Sequence, residues 1–511
     1  MVPWRRLRPG VPDLVFGIVL VMGLVGGRTA FLNDPGTFWH IELGRQIWQT
    51  GEVPRADVFT YSREGKPWVD QSWAFDLGLS ALYDHWGWSG AVAATALGLA
   101  WIYGSLARGL CKDGHMPLVA GVVAVLVAGV GSIHFLTRPH LFTFAFVLWT
   151  LRVCQSFHEK GGKSIWLVPL GMALWANLHG GFLAGPVIVA TAAFGHAVSS
   201  PLDAERKRRL RVFAAVFVLS CLAPIANPYG LGLYRHVLGL LFSSGVTKMI
   251  DEYQPSPFGK FEVMVLEWFI LAFVALPAFS KKRASRYQVL HILVWLHFAL
   301  GAVRQAPLFA IVAAGGLATL LCGLLSPSEN RERDEAGGHW SAWPVLTSLI
   351  IAMSVCAGVT WGKLDPALWP TQAVARLNQQ PTATRLFHEQ DWGGMIEAEC
   401  RPRRRTYMDD RFELYGKQAI VDYLDALAGG PGWDRLLDRE QFGLVWVRPE
   451  RGVSQRLDKD PEWEVVFRDK VSVLYRRRQP DTGDTKRAAN YVWDRVPKAR
   501  DRLVTALDQR R

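Results

Sequence analysis

The chain has 511 residues, half of them hydrophobic and only a fifth charged, with 22 tryptophans and a formal net charge of +12. The mean hydropathy of +0.11 means that long apolar runs alternate with polar parts, which excludes an ordinary soluble enzyme. The basic excess sits in loops and a C-terminal tail, where topology and anionic lipid account for it without nucleic acid.

A bilayer core of about 30 Å asks for about 20 largely apolar residues per helix. Taken in chain order, runs at 14–31, 89–107, 117–136, 141–157, 165–176, 182–198, 212–225, 263–280, 289–303, 307–325 and 343–361 predict about eleven spans. The first run follows Arg5, Arg6 and Arg8, and Gly26-Gly27-Arg28 offers no small-residue cleavage site, so it reads as a retained span. Alternate loops on one side receive Arg108 and Lys112, Lys160 and Lys163, the Glu205-to-Arg211 cluster, Lys281 to Arg286, and Arg331 with Arg333. Short loops on the other side carry only Arg138 and Arg304. That bias puts the N-terminus in the cytoplasm and the chain beyond 361 outside it, in the arrangement of a multi-pass membrane protein. The long first loop, with Arg45, Arg55, Arg63 and Lys66, runs against the bias. Five of the six cysteines fall in or near spans, and Cys400 alone lies beyond them, so no disulfide framework is expected.

The expected organisation is mainly α: a transmembrane bundle over 1–325 whose first outer loop covers 32–88, a polar cytoplasmic linker at 326–340, and a last span at 341–361. A small soluble α/β domain follows at 362–478, then a charged tail at 479–511. Within the soluble part, helical spacing marks 371–378 and 415–427, and short strands are expected at 443–447, 463–467 and 471–475.

Polar residues gather at the span ends of the outer face. They are Asp34 and His40, Asp57, Asp70, Arg138 with His140, Asn177 with His179, Glu252 beside Asp251, and Arg304. Ionisable groups at a membrane edge are costly and mark function by default. Arginine supplies charged, geometrically fixed donors for a phosphate, and a carboxylate near a hydroxyl acts as a general base. Each has an ordinary alternative: Asp34 as a helix N-cap, Asp57 as a turn residue, Asp70 as a helix start, Arg138 as an interfacial anchor, and His179 among glycines as a close-packing site.

Asp34, Gly44, Gly51-Glu52-Val53-Pro54, Gly65-Lys66-Pro67-Trp68 and Asp70 together resemble the first outer loop of C-superfamily (GT-C) glycosyltransferases that use polyprenyl-phosphate sugars. The likeness is to the group containing protein O-mannosyltransferases and the lipid A aminoarabinose transferase. It implies a GT-C bundle, a first loop of amphipathic helices on the outer membrane surface, and Asp34 and Asp70 as catalytic acids. Arg138, His140 and Arg304 would hold the carrier phosphate, with His40, Asp57, Asn177, His179 and Glu252 completing the pocket. The implied partners are a polyprenyl-phosphate sugar, a protein, lipid or glycan acceptor, and membrane lipid. No cofactor is certain, and a divalent metal ion is possible within the group. The segments Trp392-Gly393-Gly394 and Tyr407 to Tyr415 resemble the soluble part of related, uncharacterised bacterial membrane proteins. A lipid-linked sugar transporter and a non-catalytic envelope scaffold are the alternatives to a transferase.

Overall fold

The computed structural model describes residues 7–199, 201, 203–242, 245–260, 263–325, 339–400 and 404–478. The tail at 479–511, Arg5, Arg6, and the linker up to 338 with Arg331 and Arg333 lie outside the described residues.

The bundle runs through α1 (Val11–Ala30), α2 (Gly36–Thr50), α3 (Trp73–Lys112), α4 (Pro117–Gly131), α5 (His140–Lys160), α6 (Leu167–Leu178), α7 (Ala184–Val198) and α8 (Ala204–Leu222). It continues with α9 (Leu231–Phe242), α10 (Met264–Phe279), α11 (Arg286–Gly301), α12 (Ala306–Leu325) and α13 (Trp343–Cys356). Each expected span coincides with one of these helices. Five helical segments are long and apolar enough to cross a membrane by length and composition: 11–30, 73–112, 117–134, 180–198 and 303–325. The expected figure of eleven goes beyond what those two properties establish. Helix α1 shows how lipid acts as the outer solvent. Leu14, Ile18, Val21, Met22 and Val25 are exposed along one stripe, while Val15, Phe16, Val19 and Leu20 pack inward. Gly87, at φ 56, breaks α3 into an arm and a span, because only glycine adopts that backbone without a Cβ clash. Helix α9 is apolar but, at twelve residues, falls between the expected spans.

The last part contains α14 (Thr371–Asn378), β1 (Leu386–His388), α15 (Gly393–Glu399), α16 (Phe412–Tyr415), α17 (Lys417–Leu427), α18 (Gly432–Glu440), β2 (Leu444–Val447), α19 (Gly452–Leu457), β3 (Trp463–Arg468) and β4 (Val473–Arg477). The sheet order is β1-β2-β4-β3, with β1 parallel to β2 and the other pairs antiparallel. The expected strands are present, and the three-residue β1 is an addition too short to show periodicity.

Helix α2 is the joint between the two parts. It was expected on the membrane surface, but every residue from Gly36 to Gly44 is buried. Phe38 packs with Trp369, Trp392 and Ile396, while Trp39, Leu43 and Ile47 share a core with Phe59, Trp68, Phe387, Met408 and Leu414. Each such large apolar side chain contributes about 1.5–3 kcal/mol on burial. Two glycine contacts permit this closeness. A Cβ on Gly44 would stand 2.1 Å from the Asp76 carbonyl oxygen of α3, and one on Gly394 would stand 2.9 Å from the Pro35 carbonyl oxygen. The loop and the tail are further joined by backbone bonds from Tyr61 N to Thr406 O (3.0 Å) and from Thr406 N to Phe59 O (3.2 Å).

Candidate active-site crevice

Arg138 is the centre of the crevice. It lies between a short 3-10 turn and the start of α5, and the neighbouring Thr137 N–H donates to the Phe31 carbonyl at the end of α1 (2.9 Å). Its Nε donates to Asp34 Oδ2 at 2.6 Å and one terminal nitrogen to Asp410 Oδ2 at 2.9 Å. The other terminal nitrogen faces Glu252 Oε1 at 3.5 Å, and Arg304 approaches the second Glu252 oxygen at 3.9 Å. Arg304 also lies over the Tyr253 ring, 4.2 Å from its centroid. A Cβ on Gly36 would stand 2.5 Å from the Arg138 terminal nitrogen, so glycine is what lets α2 start against the guanidinium.

Asp34 does not cap α2 with its side chain, since Pro35 precedes the helix and no side-chain cap bond forms. Its carboxylate turns to Arg138 and accepts a 3.2 Å bond from the Thr37 hydroxyl. Asp410 comes from the far end of the chain. The tight turn Asp409-Asp410-Arg411 presents it, and the Trp39 indole donates to its other oxygen at 2.8 Å.

The electrostatics divide the carboxyls. Burial alone would lower the Arg138 guanidinium, but Asp34, Glu252 and Asp410 hold it well above its ordinary range. Burial raises Glu252, yet Arg138 and Arg304 outweigh it and bring the carboxyl down to about 2. Burial pushes Asp410 up to about 8, against the pull of Arg138, with Asp34 and Asp409 adding to the rise.

A second group lies beside the first. His40 Nδ1 is 2.6 Å from Asp76 Oδ1, and burial with the Arg138 charge pushes the imidazole down to about 3, so it is neutral at physiological pH. Asp70 Oδ1 accepts from the Ser72 N–H (2.9 Å) and hydroxyl (3.1 Å), while its buried Oδ2 has no hydrogen-bond partner among the described residues. Burial, with Asp76 adding to it, holds the Asp70 carboxyl well above the usual range. His179 Nδ1 accepts from the Gly181 N–H at 3.2 Å and pairs with the Thr143 hydroxyl at 2.7 Å, which puts the proton of the neutral ring on Nε2. The Gln71 side chain lies against Gly180, where a Cβ would stand 1.9 Å from its oxygen, so a larger residue there would displace the glutamine.

The structure thus brings Asp34, Arg138, Glu252 and Arg304 together and sets His40 and Asp70 next to them. Two candidates go elsewhere, while a third, His140, stays beside Arg138 and Glu252 but is used by the backbone. Asp57 accepts from the Thr60 hydroxyl (2.7 Å) and from Arg411 (2.7 Å), inside the joint between loop and tail. Asn177 clamps the Ala173 and Ala226 carbonyls and accepts from the Trp73 indole, which uses all its groups for positioning. His140 gives Nε2 to the His134 carbonyl at 2.5 Å and so closes the turn that carries Arg138. Asp410 and Asp76 were absent from the sequence candidates. The signal for Asp410 was a charge triplet, Asp409-Asp410-Arg411, set between apolar Tyr407-Met408 and Phe412.

Among the described residues, no group of three or more His, Cys, Asp or Glu is placed to hold a metal ion. Asp34 and Asp410 direct their oxygens at a guanidinium, a donor set that does not fit a shared cation.

No protein-family model matches the chain, and no curated protein matches it. Among solved structures it is similar to the apo-state crystal structure of ArnT from Cupriavidus metallidurans. The identity is 14% and the TM-score 0.49, over 90% of this chain and 97% of that one. At that identity and score the match assigns no activity, and the crevice itself must carry the functional reading.

Proposed function

We propose that the chain is an inner-membrane glycosyltransferase that moves a sugar from a polyprenyl-phosphate carrier to an acceptor on the periplasmic face. The observation that carries this reading is the placement of Arg138 and Arg304 on one anion, the Glu252 carboxylate, directly beside Asp34. Two guanidiniums converging on one anion at a membrane edge form a seat that a lipid phosphate can take over.

In this reading the acceptor hydroxyl attacks the anomeric carbon of the carrier-bound sugar. The bond from that carbon to the phosphate oxygen breaks, and its electron pair leaves on the phosphate. Arg138 and Arg304 stabilise the growing charge, and Asp34 receives the hydroxyl proton. Neutral His40 and the Asp70 carboxyl border the acceptor side. Holding both reactants in one crevice supplies much of the remaining rate.

The test is release of polyprenyl phosphate from polyprenyl-phosphate sugars by the purified chain in lipid vesicles, with candidate acceptors added. Acceptor-dependent release that disappears in Asp34→Asn is expected. Carrier binding with equal release in both proteins would contradict the assigned base.

A further inference from the structure

A separate groove lies on the same face, formed by the first loop, α9 and the start of α16. Its volume is about 450 Å³, and Arg55, Lys66, Trp68, Tyr229, Arg235 and Glu413 are among the residues that line it. Three cations therefore face a single carboxylate. That carboxylate is occupied, because Glu413 accepts from the Trp68 indole at 3.1 Å. Arg55 donates to the Pro228 carbonyl at 2.9 Å, and Lys66 to the Leu414 carbonyl. Both bonds go to neutral partners and leave the two charges uncompensated. Arg235 makes no hydrogen bond or ion pair among the described residues, and its side chain is exposed toward the groove.

The surroundings identify the kind of ligand. Helix α9 exposes Leu231, Leu238, Leu241 and Phe242, an apolar edge beside the groove. The groove thus has cations inside, two aromatic walls, and an exposed apolar rim. A ligand complementary to all three carries a compact anionic head and hydrocarbon tails. The Arg55 and Lys66 charges, which run against the topological bias of the sequence, have their use here.

We infer that this groove, distinct from the Arg138 crevice, binds the phosphate-bearing head group of a membrane amphiphile. It also adjoins the crevice. The Tyr229 hydroxyl, at the groove wall, accepts from the Asp70 N–H at 3.0 Å and donates to the Pro54 carbonyl at 2.8 Å. If the transferase reading holds, the groove seats a phosphorylated lipid acceptor beside Asp70; that last step rests on the proposed function.

The test is calorimetric titration of the purified full chain with short-chain phosphatidic acid, phosphatidylcholine of the same chain length, and inorganic phosphate. All three are measured in the Arg138→Ala background, so that the crevice does not contribute. Phosphatidic acid should bind more tightly than either control, and Arg235→Ala should weaken it about tenfold, as expected for losing a charge-assisted bond. Gly239→Leu should weaken it further by filling the groove, and it should leave the fold intact because a Cβ there meets nothing within 4 Å. Unchanged affinity in both variants, or phosphatidic acid binding no better than phosphatidylcholine, would overturn the site. Inorganic phosphate binding as tightly as phosphatidic acid would overturn the lipid assignment. Failure of the transferase reading leaves these titrations unaffected, because none of them measures sugar transfer.

Discussion

Two arginines in this protein each gather carboxylates from distant parts of the chain, and they differ in what surrounds them. Arg411 chelates Asp409 and reaches Asp57 at 2.7 Å, under the rings of Trp39, Phe59 and Trp68, with its side chain only 2% exposed. Arg138 holds Asp34, Asp410 and Glu252 with its side chain 22% exposed at a crevice. The first is sealed by aromatics and fixes the tail onto the loop. The second is open on one side, and one of its partners is shared with another arginine. A buried ion cluster that nothing can enter serves architecture; an ion cluster with an open side and an exchangeable anion can serve binding. The two are linked through consecutive residues, since Arg411 anchors the turn that delivers Asp410 to Arg138.

The comparison is broken most severely at Arg411. Arg411→Ala leaves Asp57 and Asp409 buried without their cation and should cost about 3–5 kcal/mol, seen as a large drop in the thermal unfolding midpoint and rapid proteolysis of the tail. Arg411→Lys should recover little, because a lysine cannot reproduce the bidentate contact. If Arg411→Ala unfolds like the wild type, the sealed cluster is not the joint described above.

Asp34→Asn should lower turnover by about 10²–10⁴, the usual contribution of a positioned base, while carrier affinity is retained. Single-turnover measurements with a polyprenyl-phosphate sugar would separate the two quantities. Equal losses of affinity and turnover would make Asp34 a binding group instead.

Asp410 sharpens the contrast through pH. Its carboxyl is raised to about 8, so it keeps its proton below that value and loses it above. With Asp410 neutral, the charges of Arg138 and Arg304 balance those of Asp34 and Glu252. Ionising Asp410 adds one negative charge next to the phosphate seat. Carrier affinity should therefore be present below about pH 8, fall as the pH rises through it, and lose this step in Asp410→Asn. An identical pH profile in Asp410→Asn would assign the titration to another group.

The smallest effect is expected at Gly394. Adding a methyl in Gly394→Ala pushes α15 off the first turn of α2 and should destabilise the protein by about 1–3 kcal/mol. Activity should fall more than stability accounts for, because the same displacement draws Asp410 away from Arg138. Full activity in a folded Gly394→Ala variant would show that the tail does not position the crevice.

Much of this was legible in the sequence for a simple reason. Spans announce themselves by hydropathy, and polar residues at their ends are too costly to be casual, so Asp34, Arg138, Glu252 and Arg304 stood out. Residue type alone could not separate these from Asp57, Asn177 and His140, whose partners are a distant arginine and backbone carbonyls. Helix α9 escaped because its twelve residues are short for a span and carry Arg235 and His236. The full burial of α2 was hidden because one of its covers, around Trp392, Ile396 and Met408, comes from the tail, while α3 and the first loop supply the other. Asp410 was missed for the same reason, since its contact with Arg138 spans 272 residues of sequence. Pairings at that distance leave no local period.

The most direct test of the central claim is equilibrium binding of polyprenyl phosphate to the wild type, Arg138→Ala and Asp34→Asn in one membrane mimetic. The account predicts binding by the wild type, its loss by about a hundredfold in Arg138→Ala as a charged pair is removed, and its retention in Asp34→Asn. No binding by the wild type, or equal binding by all three, would contradict it.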